Sequence, residues 1–229
     1  ALEKLSQVPG APIDLQIETA NAYARVGEIL AAEDLRDVMD PATGDAVLAR
    51  AEQSLRALLA IMPDRTDLRL SLAQSLYARA LFAGEAKIDQ RRTFKVLDEI
   101  EALLRQHPNN FRAELLGIRA RLLRADSYST EAQYAQAIAL SKAALGKLAT
   151  IGGHTVREQA DLALAREQTN TLIGDATWYG GDQAGSLVWY QAGKAALSDP
   201  VLGSDVRVLK RRAYTTFTVA SSLFGLGDK

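Results

Sequence analysis

The chain has 229 residues, enough for one large domain or a short helical array, and 48% of them are hydrophobic, so material for a core is ample. Lys plus Arg number 27 and Asp plus Glu 28, a formal net charge of −1, so no general attraction to nucleic acid or to an anionic membrane surface is expected. Cysteine is absent, which excludes disulfides, thiol catalysis and thiolate metal sites but leaves the compartment open.

Aromatic residues are 6% of the chain, and Ala and Leu carry most of the apolar content. That balance favours helix over sheet. No stretch approaches 18 uninterrupted apolar residues, so no membrane-spanning segment is expected. The chain opens at Ala1 without a methionine and closes at Gly227-Asp228-Lys229 directly after an apolar helical run. It reads as part of a longer protein or as one trimmed of a leader.

Helices are predicted in pairs along the chain: 13–32 with 44–62, 66–83 with 88–106, 110–125 with 129–150, and 155–179 with 182–198. A ninth helix over 204–226 has no partner. Leu68, Leu72, Leu76 and Ala80 lie four apart on one face, as do Val96, Ile100 and Leu104. Cap signals mark several starts: Asn109-Asn110, Ser204-Asp205, and Thr155-Val156-Arg157-Glu158, which has the reciprocal Ser/Thr-x-x-Glu spacing. Residues 33–43 read as an inserted loop or short helix.

Punctuation recurs with a period of about 45 residues. Pro63 and Pro108 lie 45 residues apart and Pro108 and Pro200 lie 92 apart, with Gly152-Gly153 near the missing midpoint. Gly44-Asp45 and Gly181-Asp182 each stand 19 residues ahead of the next proline stop. The expected organisation is therefore one all-α domain over 1–229, built of repeats at about 13–63, 66–108, 110–153 and 155–200 with a partial repeat at 204–229.

The fourth repeat carries Ile173-Gly174, Gly181, Ser186, Tyr190, Gly193 and Pro200, with Trp178-Tyr179 late in its first helix. On these residues it resembles a tetratricopeptide repeat, longer than that family's usual length of about 34 residues. The first repeat keeps Val26-Gly27, Gly44, Ala49 and Pro63 but has Gln53 where the family has an aromatic. The resemblance implies an α-α superhelix, a solenoid of about 4.5 antiparallel helix pairs. The overall style, Asp-Leu-Arg, then Ala-x-x-Leu/Tyr, then Gly-Asp, is similar to helical repeat regions of bacterial signalling proteins such as serine/threonine kinases and membrane-tethered transcription regulators.

That resemblance also implies a binding register. First helices of stacked pairs line a concave groove. The position six residues before the helix glycine is Asn21 in the first repeat and Gln168 in the fourth, with Gln74, Arg119 and Arg212 in the others. All five are polar on helices rich in Ala and Leu, so the stripe faces water or a ligand. Tyr77, Thr171, Asp175, Trp178 and Tyr179 extend it, and aromatic anchors beside polar groups suit peptide capture.

Chemistry is harder to find. His107 and His154 stand at predicted helix ends, where a histidine complements the dipole. Gly180-Gly181-Asp182-Gln183-Ala184-Gly185 follows a helix rather than a strand and reads as an inter-helix turn. Glu33, Asp34, Asp37, Asp40 and Asp45 lack calcium-loop spacing. Arg207, Lys210, Arg211 and Arg212 form a basic patch that reads as a solvated face or one covered by a further helix, and Arg91, Arg92 and Lys95 read the same way. The expected function is a protein-interaction scaffold that is not an enzyme, needs no cofactor or metal, and binds a protein or peptide rather than nucleic acid. The alternatives are a sensory or dimerisation module of a signalling protein and, third, a hydrolase on a helical toroid. The last helix offers a route to a homodimer through Phe217, Leu223 and Phe224.

Overall fold

The computed structural model describes residues 11–30, 41–84, 90–105 and 110–227. Among them it is all-α, with no strand. Helices run over α1 Ile13–Leu30, α2 Pro41–Ile61, α3 Thr66–Gly84, α4 Gln90–Leu104, α5 Phe111–Thr130, α6 Tyr134–Leu148, α7 Val156–Tyr179, α8 Gln183–Ala196 and α9 Val206–Gly227, with a 3₁₀ turn at Pro200–Ser204. No described helix is long and apolar enough to cross a membrane.

The ends follow from local chemistry. Thr155 accepts a hydrogen bond from the Glu158 amide at 3.1 Å, and the Glu158 carboxylate accepts from the Thr155 amide at 3.0 Å, the reciprocal cap read in the sequence. Asn110 accepts from the Ala113 amide, Asp182 from that of Gly185, and Asp205 from that of Arg207. Three boundaries differ from expectation by three residues or more. Helix α2 starts at Pro41 rather than at Gly44, because proline with its fixed φ is well suited to the first helical position. Helix α5 runs past 125 to Thr130, and α6 starts at Tyr134 rather than near 129. The stop is Ala132, held at φ 57° in the left-handed region, with the Gln133 amide reaching back to the Tyr128 carbonyl at 2.8 Å. Alanine there gives no warning in the sequence. Residues 33–40 of the expected insertion lie outside the described residues, and so do His107 and Asn109.

The chain divides into two compact units, Ala1–Gly117 and Ile118–Lys229. In the first, α1 packs on α2 and α3, α2 on α3, and α3 on α4. Arg79 of α3 pairs with Asp45 and Glu52 of α2, and Arg56 of α2 pairs with Glu52 and with Glu99 of α4. In the second unit, α6 packs on α7, α7 on α8 and α8 on α9, while α9 also touches α7 and the 3₁₀ turn.

A common burial pattern runs through the second helix of each pair. Buried residues fall at intervals of 4, 3 and 4: Gly44, Leu48, Ala51 and Leu55 in α2, then Thr93, Leu97, Ile100 and Leu104 in α4. Ala137, Ser141, Ala144 and Leu148 follow in α6, and Ser186, Tyr190, Gly193 and Leu197 in and just after α8. Corresponding positions are 49, 44 and 49 residues apart. This spacing keeps four side chains on one helical stripe.

Candidate functional site

The packing of α7 against α8 rests on Gly174, Tyr190 and Gly193. A Cβ on Gly174 would stand 2.5 Å from Cε1 of Tyr190, so the buried tyrosine ring lies directly on the glycine. Gly193 lets α8 approach the backbone of α7, and a Cβ there would be 3.4 Å from the Glu167 carbonyl oxygen. The turn between the helices has Gly181 at φ 98° and the Asp182 amide donating to the Thr177 carbonyl at 3.0 Å. The α5–α6 turn has the same construction 49 residues earlier, with Ala132 in place of Gly181.

Beside this packing lies a polar seam. Glu167 is fully buried, and its two carboxylate oxygens are both engaged, one by the Thr171 hydroxyl at 2.9 Å and one by Arg211 Nε of α9 at 2.5 Å. The Arg211 guanidinium also sits 4.7 Å over the Tyr214 ring. Further along α7, Asp175 accepts the Tyr190 hydroxyl proton at 2.8 Å. Burial pushes the Asp175 carboxyl above the ordinary carboxylate range. The Tyr190 bond opposes that shift, nearby Asp126 adds to it and Arg211 opposes it. Tyr190 itself is pushed well up, first by burial and then by its bond to Asp175. The tyrosine therefore stays protonated and works as a donor.

Along α7, Gln168 is exposed, Asp175 half-buried, and Tyr179 69% exposed. Tyr179 stacks on Tyr134, the first residue of α6, with ring centroids 6.5 Å apart and planes 22° apart. The arrangement offers a flat aromatic surface at the end of α7. Trp178 is half-buried and faces α9, where a Cβ on Gly225 would lie 3.5 Å from its ring. Thr171 is buried and turned to Glu167. Arg119 at the start of this unit is half-buried. Arg212 donates to the carbonyls of Leu197 and Asp199, closing the end of α8. Its counterpart 46 residues earlier, Arg166, does the same to the Leu148 carbonyl at the end of α6. The residue 46 after Gln168 is Tyr214, which is 51% exposed.

In the first unit, Asn21, Gln74 and Tyr77 are half-buried, and Asn21 Oδ1 is buried without a hydrogen-bond partner. The basic patch on α9 is largely engaged: Arg207 pairs with Asp161 and Asp205, Arg211 with Glu167, and Arg212 with the two carbonyls. His154 is exposed, with its backbone amide on Glu158. Among the described residues no group of three or more His, Cys, Asp or Glu side chains could hold a metal ion.

Three contributors carry no sequence signal of their own. Glu167 looks like any helix carboxylate, since its burial depends on Arg211, 44 residues away. Tyr134 and Arg166 are recognisable only once the turns align at 49 residues and the end-closing arginines at 46. Comparison with protein-family models, with curated proteins and with solved structures finds no match to this chain.

Proposed function

We propose that the chain is a protein-interaction module, a superhelix of tetratricopeptide-like antiparallel helix pairs that holds a peptide or partner domain along its first helices. Supporting the repeat reading are the shared 4-3-4 burial stripe and the repeated turn. The observation that carries the binding reading is the face of Gln168, Asp175 and Tyr179 with Tyr134 beside it. A tyrosine left 69% exposed yet fixed by stacking is a rigid anchor that loses little entropy on contact. The exposed Gln168 amide, 11 residues back along α7, would hold a peptide's polar groups.

The test is a crosslinking pull-down from the source cell, comparing the natural chain with a Gln168→Ala/Tyr179→Ala variant and with a Val188→Ala control. Val188 is exposed on α8, the other helix of the pair. A partner held by the natural chain and the control but lost by the double variant supports the reading. An identical set of partners for all three sinks it.

A further inference from the structure

Helix α9 has a bare face that can be identified by comparison within the chain. The Gly181-Asp182 dipeptide that follows α7 recurs as Gly227-Asp228 where α9 ends, an offset of 46, and Arg166 and Arg212 share one role at the same offset. At this offset the buried residues of α9 match buried residues of α7: Val208 with Leu162, Thr215 with Thr169, Val219 with Ile173, and Ser222 with Ala176. The rest of the buried surface of α7 has no such match. Ala160, Ala163, Glu167, Thr171 and Gly174 are buried, whereas their counterparts Val206, Leu209, Ala213, Phe217 and Ala220 are all exposed.

The difference lies in α8. Tyr190 covers Gly174, Gly193 approaches Glu167 and Thr171, and Leu197 clusters with Ala160 and Ala163. The face of α9 left bare is therefore the face that α7 gives to an antiparallel helix. Its exposure is large: Val206 75%, Phe217 70% and Phe224 73%.

The same face supplies a ready occupant. Helix α8 docks through Ser186, Tyr190 and Gly193, a small residue, an aromatic and a small residue at intervals of 4 and 3. Helix α9 carries Ala213, Phe217 and Ala220 at the same intervals, followed by Phe224. We infer that α9 pairs with α9 of a second copy of this chain, antiparallel about a two-fold axis near residues 218 and 219. In the register of the Tyr190-on-Gly174 contact, with the helix axes set farther apart to admit the alanine methyl, Phe217 of each copy lies on Ala220 of the other. Phe224 of each then meets Leu209 and Ala213 of the other. Large opposes small at each step, which is the self-complementarity that an isologous interface requires.

The antiparallel direction is the one in which α8 packs on α7. Residues 213–227 carry no charge, so the stripe from Ala213 to Phe224 can be buried against its copy without enclosing a charged group. The exposed apolar side chains amount to roughly 700 Å² per copy, and twice that lies within the range of specific interfaces.

The experiment is sedimentation equilibrium of the full chain from micromolar to high micromolar concentration, with Phe217→Asp/Phe224→Asp as the variant. Both positions are largely exposed, so the variant should keep its helical content by circular dichroism. The expected result is a doubling of mass for the natural chain and a monomer for the variant. A natural chain that stays monomeric throughout overturns the pairing, and so does a variant that remains dimeric. Because the chain has no cysteine, single-thiol variants also read the register. Phe217→Cys mixed with Ala220→Cys should form mixed disulfides in preference to Ala213→Cys with itself. Dominant Ala213→Cys homodimers would overturn the antiparallel arrangement.

Discussion

At Asp175 the folded protein holds a carboxyl group where burial disfavours its charge. A raised pKa means that the folded state binds the proton more tightly than the unfolded chain. The stabilisation from that proton is complete below the ordinary carboxylate range and is lost as pH rises through the shifted value. Asp175→Asn keeps an acceptor for the Tyr190 hydroxyl without the charge. Its melting temperature should exceed that of the natural chain at neutral pH, and the gap should close on acidification. A gap independent of pH would remove burial as the cause. Backbone conformation supplies a second pair of expectations at this scale. Ala132→Gly relieves a left-handed alanine and should raise stability by about 0.5–1 kcal/mol in urea unfolding. Gly174→Ala drives a methyl into the Tyr190 ring and should cost about 1–3 kcal/mol, with α8 loosened in near-ultraviolet circular dichroism. The sequence made Gly174 and Tyr190 legible as small and aromatic partners. It did not make Ala132 legible, because nothing in alanine announces a helix stop.

Helices are the most readable level. Boundaries that rest on a capping side chain, a glycine or a proline need no tertiary information, and the departures at α2 and α5 trace to Pro41 and Ala132. What the sequence withheld was which side of each first helix meets which neighbour. Glu167 illustrates this. A lone carboxylate on α7 belongs to solvent by default, and only the arrival of Arg211 from α9 makes its burial tolerable. Removing one partner should therefore be worse than removing both. Glu167→Ala should cost about 2–3 kcal/mol, since Arg211 keeps some exposure, and Glu167→Met with Arg211→Met should recover much of that loss. Equal losses from the single and double variants, measured by chemical denaturation, would mean that the pair carries no coupling. The Arg56 and Arg79 bridges in the first unit are partly exposed, so single substitutions there should change stability by less than about 1 kcal/mol.

For the molecule as a whole, burial is uneven along the chain. Helices α3, α5 and α7 bury residues on two sides, whereas α9 buries one stripe and, over residues 13–26, α1 buries Ile17, Thr19, Ala20 and Ala24. Hydrogen exchange should rank accordingly, with amides of α7 protected longest and those of α1 and α9 opening first. Uniform protection across the described helices would contradict that ranking. The arginines that close helix ends add an order in time. The carbonyl of Leu148 waits for Arg166, 18 residues further on, and that of Leu197 waits for Arg212, 15 residues further on. A chain leaving the ribosome from its N-terminus thus cannot finish one helix pair until part of the following helix has emerged. In this unit, synthesis itself would set the sequence of closure, each new segment completing the one made before it.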